Sequence, residues 1–208
     1  NISLKIGGKK YHVSSFKLHQ PINWHHQFSI RLAAYQFGKE DETSLLSQTI
    51  NLVSEEVLLE LVGQKEAVDL KFKGIITEVI LAKNYATSKE LILKGYSPTI
   101  KMDGTSQLKS YAEKKLDAII TSLLNDHQLR GEIHPNETNP LLYSVQYNES
   151  AFDYMNRLAA EYKEWCYYNG EKIVFGKLIE KQQLDLKLGN ILGSYDISMQ
   201  LLPTNFGH

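Results

Sequence analysis

The sequence predicts an α+β fold that is rich in antiparallel β-strands. Short, alternating apolar runs fill the first hundred residues, with no helices of crossover length between them. Strands that follow one another in this way pair antiparallel, which predicts a barrel or a sandwich. Two amphipathic helical patterns and a hairpin then indicate a small α+β unit, with boundaries near residues 97–106 and 176–183.

Charge and composition exclude several classes of function. The 208 residues carry 23 Lys and Arg against 24 Asp and Glu, a net charge of −1, and the arginines are Arg31, Arg130 and Arg157. Nucleic-acid-binding domains are usually basic and rich in arginine, so we expect no nucleic-acid partner. The single cysteine, Cys166, excludes an internal disulfide and a multi-cysteine zinc site.

Membrane and export patterns are not found in the sequence. No run approaches the ~18 apolar residues that a membrane helix needs. The first residues do not form a basic segment followed by an apolar one, so we expect no signal peptide. The simplest expected location is the cytoplasm, without membrane insertion.

The first elements are predicted from turn chemistry and alternation. Gly7-Gly8 lies between two alternating apolar runs and suits a two-residue turn with positive φ at both positions, which predicts a hairpin. Residues 26–35 alternate imperfectly and predict a strand with one buried face. Residues 38–47 are polar and predict a loop.

A short helix is predicted over residues 54–63. Ser54 and Glu55 suit its start, apolar residues follow at helical spacing, and Gly63 suits its end. Three further strands are predicted over residues 67–72, 74–81 and 89–95.

Two longer helices are predicted in the α+β unit. Ser110 and Glu113 form a capping box for a helix over residues 111–124, and residues 126–139 predict a polar loop. A strand over residues 141–147 precedes Ser150, which is predicted to cap the second helix. The predicted buried face of that helix consists of Phe152, Met155, Leu158, Ala159 and Tyr162.

A hairpin is predicted after the second helix. Asn169-Gly170 lies between the β-prone residues 165–168 and 172–175, and Asn-Gly is typical of two-residue hairpin turns. Residues 181–208 resemble further short strands.

Candidate catalytic and metal-binding residues form no recognisable site. His25 and His26 are neighbours whose side chains would point to opposite faces of a strand, so we interpret them as surface or loop histidines. Cys166 lies in an aromatic strand, where a buried and unreactive thiol is expected. Glu149 and Asp153 are explained by the start of a helix. We therefore expect no enzymatic activity, no cofactor and no metal site.

Three blocks of the sequence resemble one family of proteins. Residues 145–152, read as VQYNESAF, resemble the VQY-x-E-S-x-F signature of VgrG proteins, the spike hubs of type VI secretion systems, and of related phage tail-hub (late control D) proteins. Residues 72–79 resemble the family's F-x-G-I-V-T-x-V strand, and residues 22–28 its N-terminal N-x-H-H-x-F segment. The motif positions are Phe72, Gly74, Ile75, Thr77, Val145, Gln146, Tyr147, Glu149, Ser150, Phe152, Arg157, Leu158, Asn169 and Gly170. The chain has Glu164 where the family usually has glycine.

The resemblance implies a structural role in a contractile injection machine. It implies a first β-barrel-like tube domain over residues 1–100, an α+β insertion domain over 101–180, and the start of a second tube domain over 181–208. The full-length protein would form a homotrimer whose six barrels match a hexameric, Hcp-like tube, and would contact baseplate proteins and effectors. It would assemble in the cytoplasm and then be translocated with the machine.

Other functions stay open beside this one. A phage or phage-like baseplate hub fits the same motifs. A carbohydrate-binding β module would use Trp24, Trp165 and nearby tyrosines, since twelve tyrosines and two tryptophans supply polar-tipped aromatic surface. A Cys-His enzyme centred on Cys166 is the third candidate.

Overall fold

The computed structural model describes residues 2–38, 42–61, 70–83 and 89–178. The chain divides into two compact units, Asn1–Lys177 and Leu178–His208. Almost all of the second unit lies outside the described residues, including the strands predicted over 181–208. The predicted division into tube, insertion and second tube domains therefore stays a prediction.

The first part of the chain forms a seven-stranded antiparallel sheet. Its strands are β1 (Ile2–Ile6), β2 (Lys9–Tyr11), β3 (Val13–His19), β4 (Gln27–Ala33), β5 (Glu56–Leu61), β6 (Leu70–Ala82) and β7 (Glu90–Tyr96). Their order in the sheet is β2-β1-β5-β6-β7-β4-β3. The predicted β-rich α+β class is confirmed.

The two edge strands of this sheet are neighbours in the sequence. β2 and β3 lie at opposite edges but are separated by His12 alone. In a flat sheet, six spacings of about 4.8 Å would hold the edges about 29 Å apart, whereas one residue spans about 3.4 Å. The sheet must therefore curl strongly. It is not a closed barrel, because within the described ranges β2 pairs only with β1 and β3 only with β4.

The second part of the chain combines helices with two small sheets. Its elements are β8 (Gln107–Lys115), α2 (Leu116–Asp126), β9 (Gly131–His134), β10 (Pro140–Glu149), α3 (Ala151–Tyr162), β11 (Trp165–Tyr168) and β12 (Ile173–Gly176). β8 and β10 form an antiparallel ribbon, and β12 pairs antiparallel with β11 and parallel with β9. An earlier helix, α1 (Glu42–Thr49), and the 3-10 turns Ala34–Phe37, Ile50–Leu52 and Pro98–Met102 complete the description. One apolar core extends from the seven-stranded sheet to α2 and α3.

Local turn and cap chemistry predicted several elements correctly. Gly7 and Gly8 have φ values of 53° and 81° and join β1 to β2. The Ser150 hydroxyl accepts the Asp153 N–H at 3.0 Å and caps α3, as predicted. The predicted second hairpin is formed by β11 and β12, but its loop has four residues because Tyr168 pairs with Ile173.

The predicted helix over residues 54–63 is wrong, because residues 56–61 form β5. Val57 and Leu59 are buried on one face of the strand, with β1 on one side and β6 on the other. The same apolar residues suit either a helix or a strand, and the neighbouring strands select the strand. Gly63 lies outside the described residues.

The capping box at Ser110 and Glu113 is also wrong. Both residues lie in β8, which continues to Lys115 and pairs with β10. α2 therefore starts five residues later than predicted, at Leu116, and the side chain of its N-cap residue, Lys115, makes no capping hydrogen bond. The buried face of α2 consists of Leu116, Ile119, Ile120, Leu123 and Leu124.

Three segments differ from the prediction in a smaller way. The polar segment 38–47 contains the start of α1, and the polar segment 126–139 contains β9, a short strand held by parallel pairing with β12. The strands predicted over 67–72 and 74–81 form one strand, β6, which runs through Gly74 without a break. Residues 67–69 lie outside the described part.

Candidate functional site

Motif residues of two blocks, Phe72 and Gly74 in β6 and Gly170 in the β11–β12 loop, meet where the hairpin packs against the seven-stranded sheet. The Lys73 N–H of β6 donates to the Gly170 carbonyl at 2.7 Å, and the Tyr168 hydroxyl donates to the Lys73 carbonyl at 3.2 Å. Glu171 lies 2.9 Å from Lys71 in an exposed ion pair. Two blocks that are about a hundred residues apart in sequence thus form one junction.

Aromatic rings fill the space beneath this contact. Phe72 is fully buried, and its ring meets Phe28 and Tyr168 edge to face, with centroids 5.8 Å and 6.2 Å away. A side chain at Gly74 would overlap the rings of Phe28 and Phe72. The glycine of this motif is therefore needed for close ring packing, which is a structural role.

A chain of hydrogen bonds runs through the same junction. His25 Nδ1 lies 2.7 Å from Thr99 Oγ1, and His25 Nε2 lies 2.9 Å from Asp103 Oδ2. The Ser150 hydroxyl reaches the other oxygen of Asp103 at 3.1 Å. These hydrogen bonds connect the loop before β4, the 3-10 turn after β7 and the start of α3.

The order hydroxyl, histidine, carboxylate also occurs in nucleophilic enzymes. Here Thr99 and His25 are buried, and the Thr99 hydroxyl is also 2.6 Å from Ser97 Oγ. The Phe152 ring covers His25, with centroids 4.1 Å apart. The cavity beside Thr99 has about 10 Å³, roughly the room for one water. This geometry favours a structural network over a catalytic one.

His26 is buried beside this network. Of the two alternatives predicted for His25 and His26, surface or loop, the loop position is correct and the surface exposure is wrong. Both belong to a loop, but tertiary packing covers them. The Gln20 amide lies 3.3 Å from His26 Nδ1, and Phe72 and Tyr168 contact the imidazole ring. Burial, and then the positive charges of His19 and His25, lower the pKa of His26 from 6.5 to about 4.

Lowering the pH from about 7 to about 5 is expected to reduce the free energy of unfolding by about 1–2 kcal/mol through His26. Its pKa is about 4 in the folded chain and 6.5 ordinarily, so the unfolded chain binds more protons between these values. The contribution is complete above the ordinary pKa and is lost as the pH falls. Urea unfolding at both pH values measures it. A His26→Gln variant should lose this part of the pH dependence, and equal slopes for variant and wild type would contradict the prediction.

Glu149 and Arg157 bind backbone groups at the outer edge of β10. Arg157 donates to Glu149 at 2.6 Å and to the Val145 carbonyl at 2.7 Å. The Tyr147 N–H donates to Glu149 at 3.4 Å. The pair therefore occupies backbone groups that a neighbouring strand would otherwise bind. Glu149 directly precedes the N-cap of α3, as predicted, and its carboxylate also joins β10 to Arg157 of that helix.

The other motif residues divide between core and surface. Ile75, Gln146 and Leu158 are buried. Thr77 is exposed at the bulge of β6, and Tyr147 is exposed on β10. The motif therefore combines folding determinants with one exposed aromatic residue.

Glu164 is a residue whose role could not be predicted from the sequence. It is buried, and it accepts the N–H groups of Asn136 and Glu137 and the side-chain amide of Asn136. Its carboxylate thus fixes the loop between β9 and β10. The contact joins residues 27 and 28 positions apart, which local patterns do not indicate.

Cys166 is buried as predicted. Burial raises the pKa of its thiol from 9.0 to about 12, so the nucleophilic thiolate is disfavoured. Within residues 2–38, 42–61, 70–83 and 89–178, no three His, Cys, Asp or Glu side chains are placed to share a metal ion. Of the helices that the structure describes, none has the length and hydropathy needed to cross a membrane.

Solved structures share this fold. The 43 kDa tail protein of prophage MuSo2 from Shewanella oneidensis aligns over 85% of this chain with a TM-score of 0.64 and 12% identity. The E. coli c3393 protein, a type VI secretion component, aligns over 83% with a TM-score of 0.61 and 16% identity. A Francisella PdpA-VgrG complex aligns over 84% with a TM-score of 0.55 and 12% identity. The fold implied by the sequence resemblance is confirmed.

The chain spans about half of the first two of these proteins, 54% and 48% of their lengths, and 30% of the matched chain in the complex. No curated protein matches it in sequence. The family model of the Alg8 N-terminal domain matches residues 4–201. Because this match covers most of its length, the chain belongs to the Alg8 N-terminal domain family.

Proposed function

We propose that the chain is part of a VgrG-like hub of a contractile injection machine, in a secretion system or a phage. The observation that carries this proposal is the curled seven-stranded sheet joined to the α+β unit, a fold shared with tail and secretion proteins over more than four fifths of the chain. In the proposed hub, three copies cap a hexameric, Hcp-like tube and contact baseplate proteins and effectors. The hub assembles in the cytoplasm and is translocated with the tube.

The junction supports a structural rather than a catalytic role. Its histidine network is covered by Phe152, and its thiol is buried. The strands of the seven-stranded sheet bury one face. The other face carries exposed ion pairs such as Lys94–Glu78 at 3.0 Å. A subunit that stacks beside others needs such a rigid wall and no substrate pocket.

The test uses the full-length protein together with its tube protein. Native mass spectrometry is expected to give three copies, and electron microscopy should show threefold density at the end of a sixfold tube. Tubes prepared without this protein are the control and should lack that density. A monomeric full-length protein, or identical tube ends in both preparations, would overturn the proposal.

A carbohydrate-binding module is the second candidate, favoured by the exposure of the two tryptophans. Trp24 is 52% exposed and Trp165 is 46% exposed, so both rings have a free face for stacking on a sugar. A glycan array distinguishes the two functions. Hits that disappear in a Trp24→Ala variant would support this candidate, and an array without hits would dispose of it.

A further inference from the structure

One face of the β8–β10 ribbon is exposed and uncharged. We call it the ribbon face; it consists of three opposed residue pairs, Leu108–Tyr147, Ser110–Val145 and Ala112–Tyr143. Leu108, Tyr143 and Tyr147 are 73%, 64% and 72% exposed. The opposite face of the ribbon carries the buried Tyr111 and Gln146 and packs on α3. An aromatic, neutral and exposed surface of this kind is typical of the centre of a protein interface.

The two edges of the ribbon differ. The outer edge of β10 is occupied at two of its backbone groups, because the Val145 carbonyl and the Tyr147 N–H bind Arg157 and Glu149. These backbone groups therefore point away from β8. In an antiparallel pair, opposed residues either exchange hydrogen bonds or both point outward.

The backbone groups of β8 at the ribbon face consequently point to its free edge. They belong to Leu108, Ser110 and Ala112, which lie opposite the outward-pointing residues of β10. In the described part of the chain, no hydrogen bond to the outward groups of these three residues is found. The edge is thus open for a further strand, whereas Arg157 and Glu149 block the edge of β10 at Val145 and Tyr147.

Two lysines at the C-terminal end of β8 indicate the charge that a strand bound at this edge would carry. Lys114 and Lys115 are exposed and have no carboxylate within ion-pair distance among the described residues. A second copy of β8 paired about Ser110 would place Ser106 and Thr105 opposite these lysines and would leave them unpaired. A strand with acidic residues at this end is the better complement.

We propose that the free edge of β8 and the ribbon face bind an extended segment of a partner protein. The segment has apolar side chains at alternate positions and acidic residues beside Lys114 and Lys115. Backbone hydrogen bonds to Leu108, Ser110 and Ala112 hold it, and its apolar side chains cover the tyrosines. This inference does not depend on the hub proposal, since it concerns the ribbon alone.

The probe is the capped peptide acetyl-Asp-Asp-Thr-Val-Thr-Val-Thr-Val-amide, whose Asp residues lie beside Lys115 and Lys114 when it pairs antiparallel with β8. It is titrated into the isotope-labelled 208-residue chain and followed by NMR. We expect the amide signals of Leu108, Ser110 and Ala112 to shift and their hydrogen exchange to slow by about tenfold or more. The same peptide with N-methyl groups at alternate residues is the ligand control and should not bind.

Ser110→Pro is the decisive variant, because it removes an outward N–H that makes no bond within the ribbon, and proline is tolerated at such edge positions. Peptide binding should weaken about tenfold or more, with an unchanged urea midpoint, while Ser110→Ala should bind like the wild type. A Lys114→Glu/Lys115→Glu variant should also bind more weakly. If Ser110→Pro fails to fold, the N-methyl peptide and the lysine variant decide the question.

Three results would overturn the inference. The first is no binding of the peptide at about 1 mM. The second is equal binding by wild type and Ser110→Pro, or perturbation of β10 in place of β8. The third is protection of the Ser110 amide without peptide that grows with protein concentration, since the edge would then be occupied by a second copy.

Discussion

Replacing Phe152 with alanine is expected to lower the free energy of unfolding by about 3–5 kcal/mol. The ring is 5% exposed, lies on the buried face of α3 and packs against the imidazole of His25, with the ring centroids 4.1 Å apart. Truncation leaves a cavity in the junction and admits water to the Thr99–His25–Asp103 hydrogen bonds. These bonds then lose the low-dielectric surroundings that strengthen them.

Urea denaturation followed by circular dichroism measures the effect of Phe152→Ala. Leu142→Ala is the matched control, because this apolar side chain is 87% exposed and should change the free energy of unfolding by no more than about 0.5 kcal/mol. A loss below about 1 kcal/mol for Phe152→Ala would show that the ring does not support the junction.

Elements whose ends are set by capping or turn residues in the adjacent sequence could be predicted. Ser150 caps α3 through an N–H three residues away, and Gly7-Gly8 sets the first hairpin through its own φ values. Both depend on a few adjacent residues. Four residues of the predicted buried face of α3, Phe152, Met155, Leu158 and Ala159, are buried, whereas Tyr162 is partly buried and the fully buried Tyr154 was not predicted.

Elements decided by distant pairing could not be predicted. β5 has an apolar content that suits a helix, and only β1 and β6 on either side make it a strand. β8 contains a plausible capping box, yet pairing with β10, about thirty residues away, keeps those residues extended. β9 is four residues long and is held by β12 in parallel, which no local pattern indicates.

The candidate site was predicted as a set of motif residues but not as a network. Resemblance singled out Phe152 and Ser150, whereas the partners of His25 lie 74 and 78 positions away. Burial of the two histidines is likewise a tertiary effect, since the rings of Phe152, Phe72 and Tyr168 that cover them belong to other elements. The ion pair of Glu149 was not predicted either, because its partner Arg157 lies eight residues later, on α3.

Gly170→Val is expected to lower the free energy of unfolding by about 3–5 kcal/mol, through three effects at one position. Gly170 has φ of +103°, a conformation that a β-branched residue adopts only under strain. A Cβ there would overlap the carbonyl oxygen of Lys71. The loop must then move away from β6, which breaks the 2.7 Å bond from the Lys73 N–H to the Gly170 carbonyl.

Gly104→Val separates this effect from the general cost of replacing a glycine. Open space surrounds the position of a Cβ at Gly104, so this variant should lose less than about 1 kcal/mol. Hydrogen exchange adds a local measurement. The Lys73 amide should exchange faster in Gly170→Val and at the wild-type rate in Gly104→Val. If Gly170→Val keeps both its stability and the protection of Lys73, the hairpin loop is not what joins the α+β unit to the sheet. The motif glycine would then need another explanation.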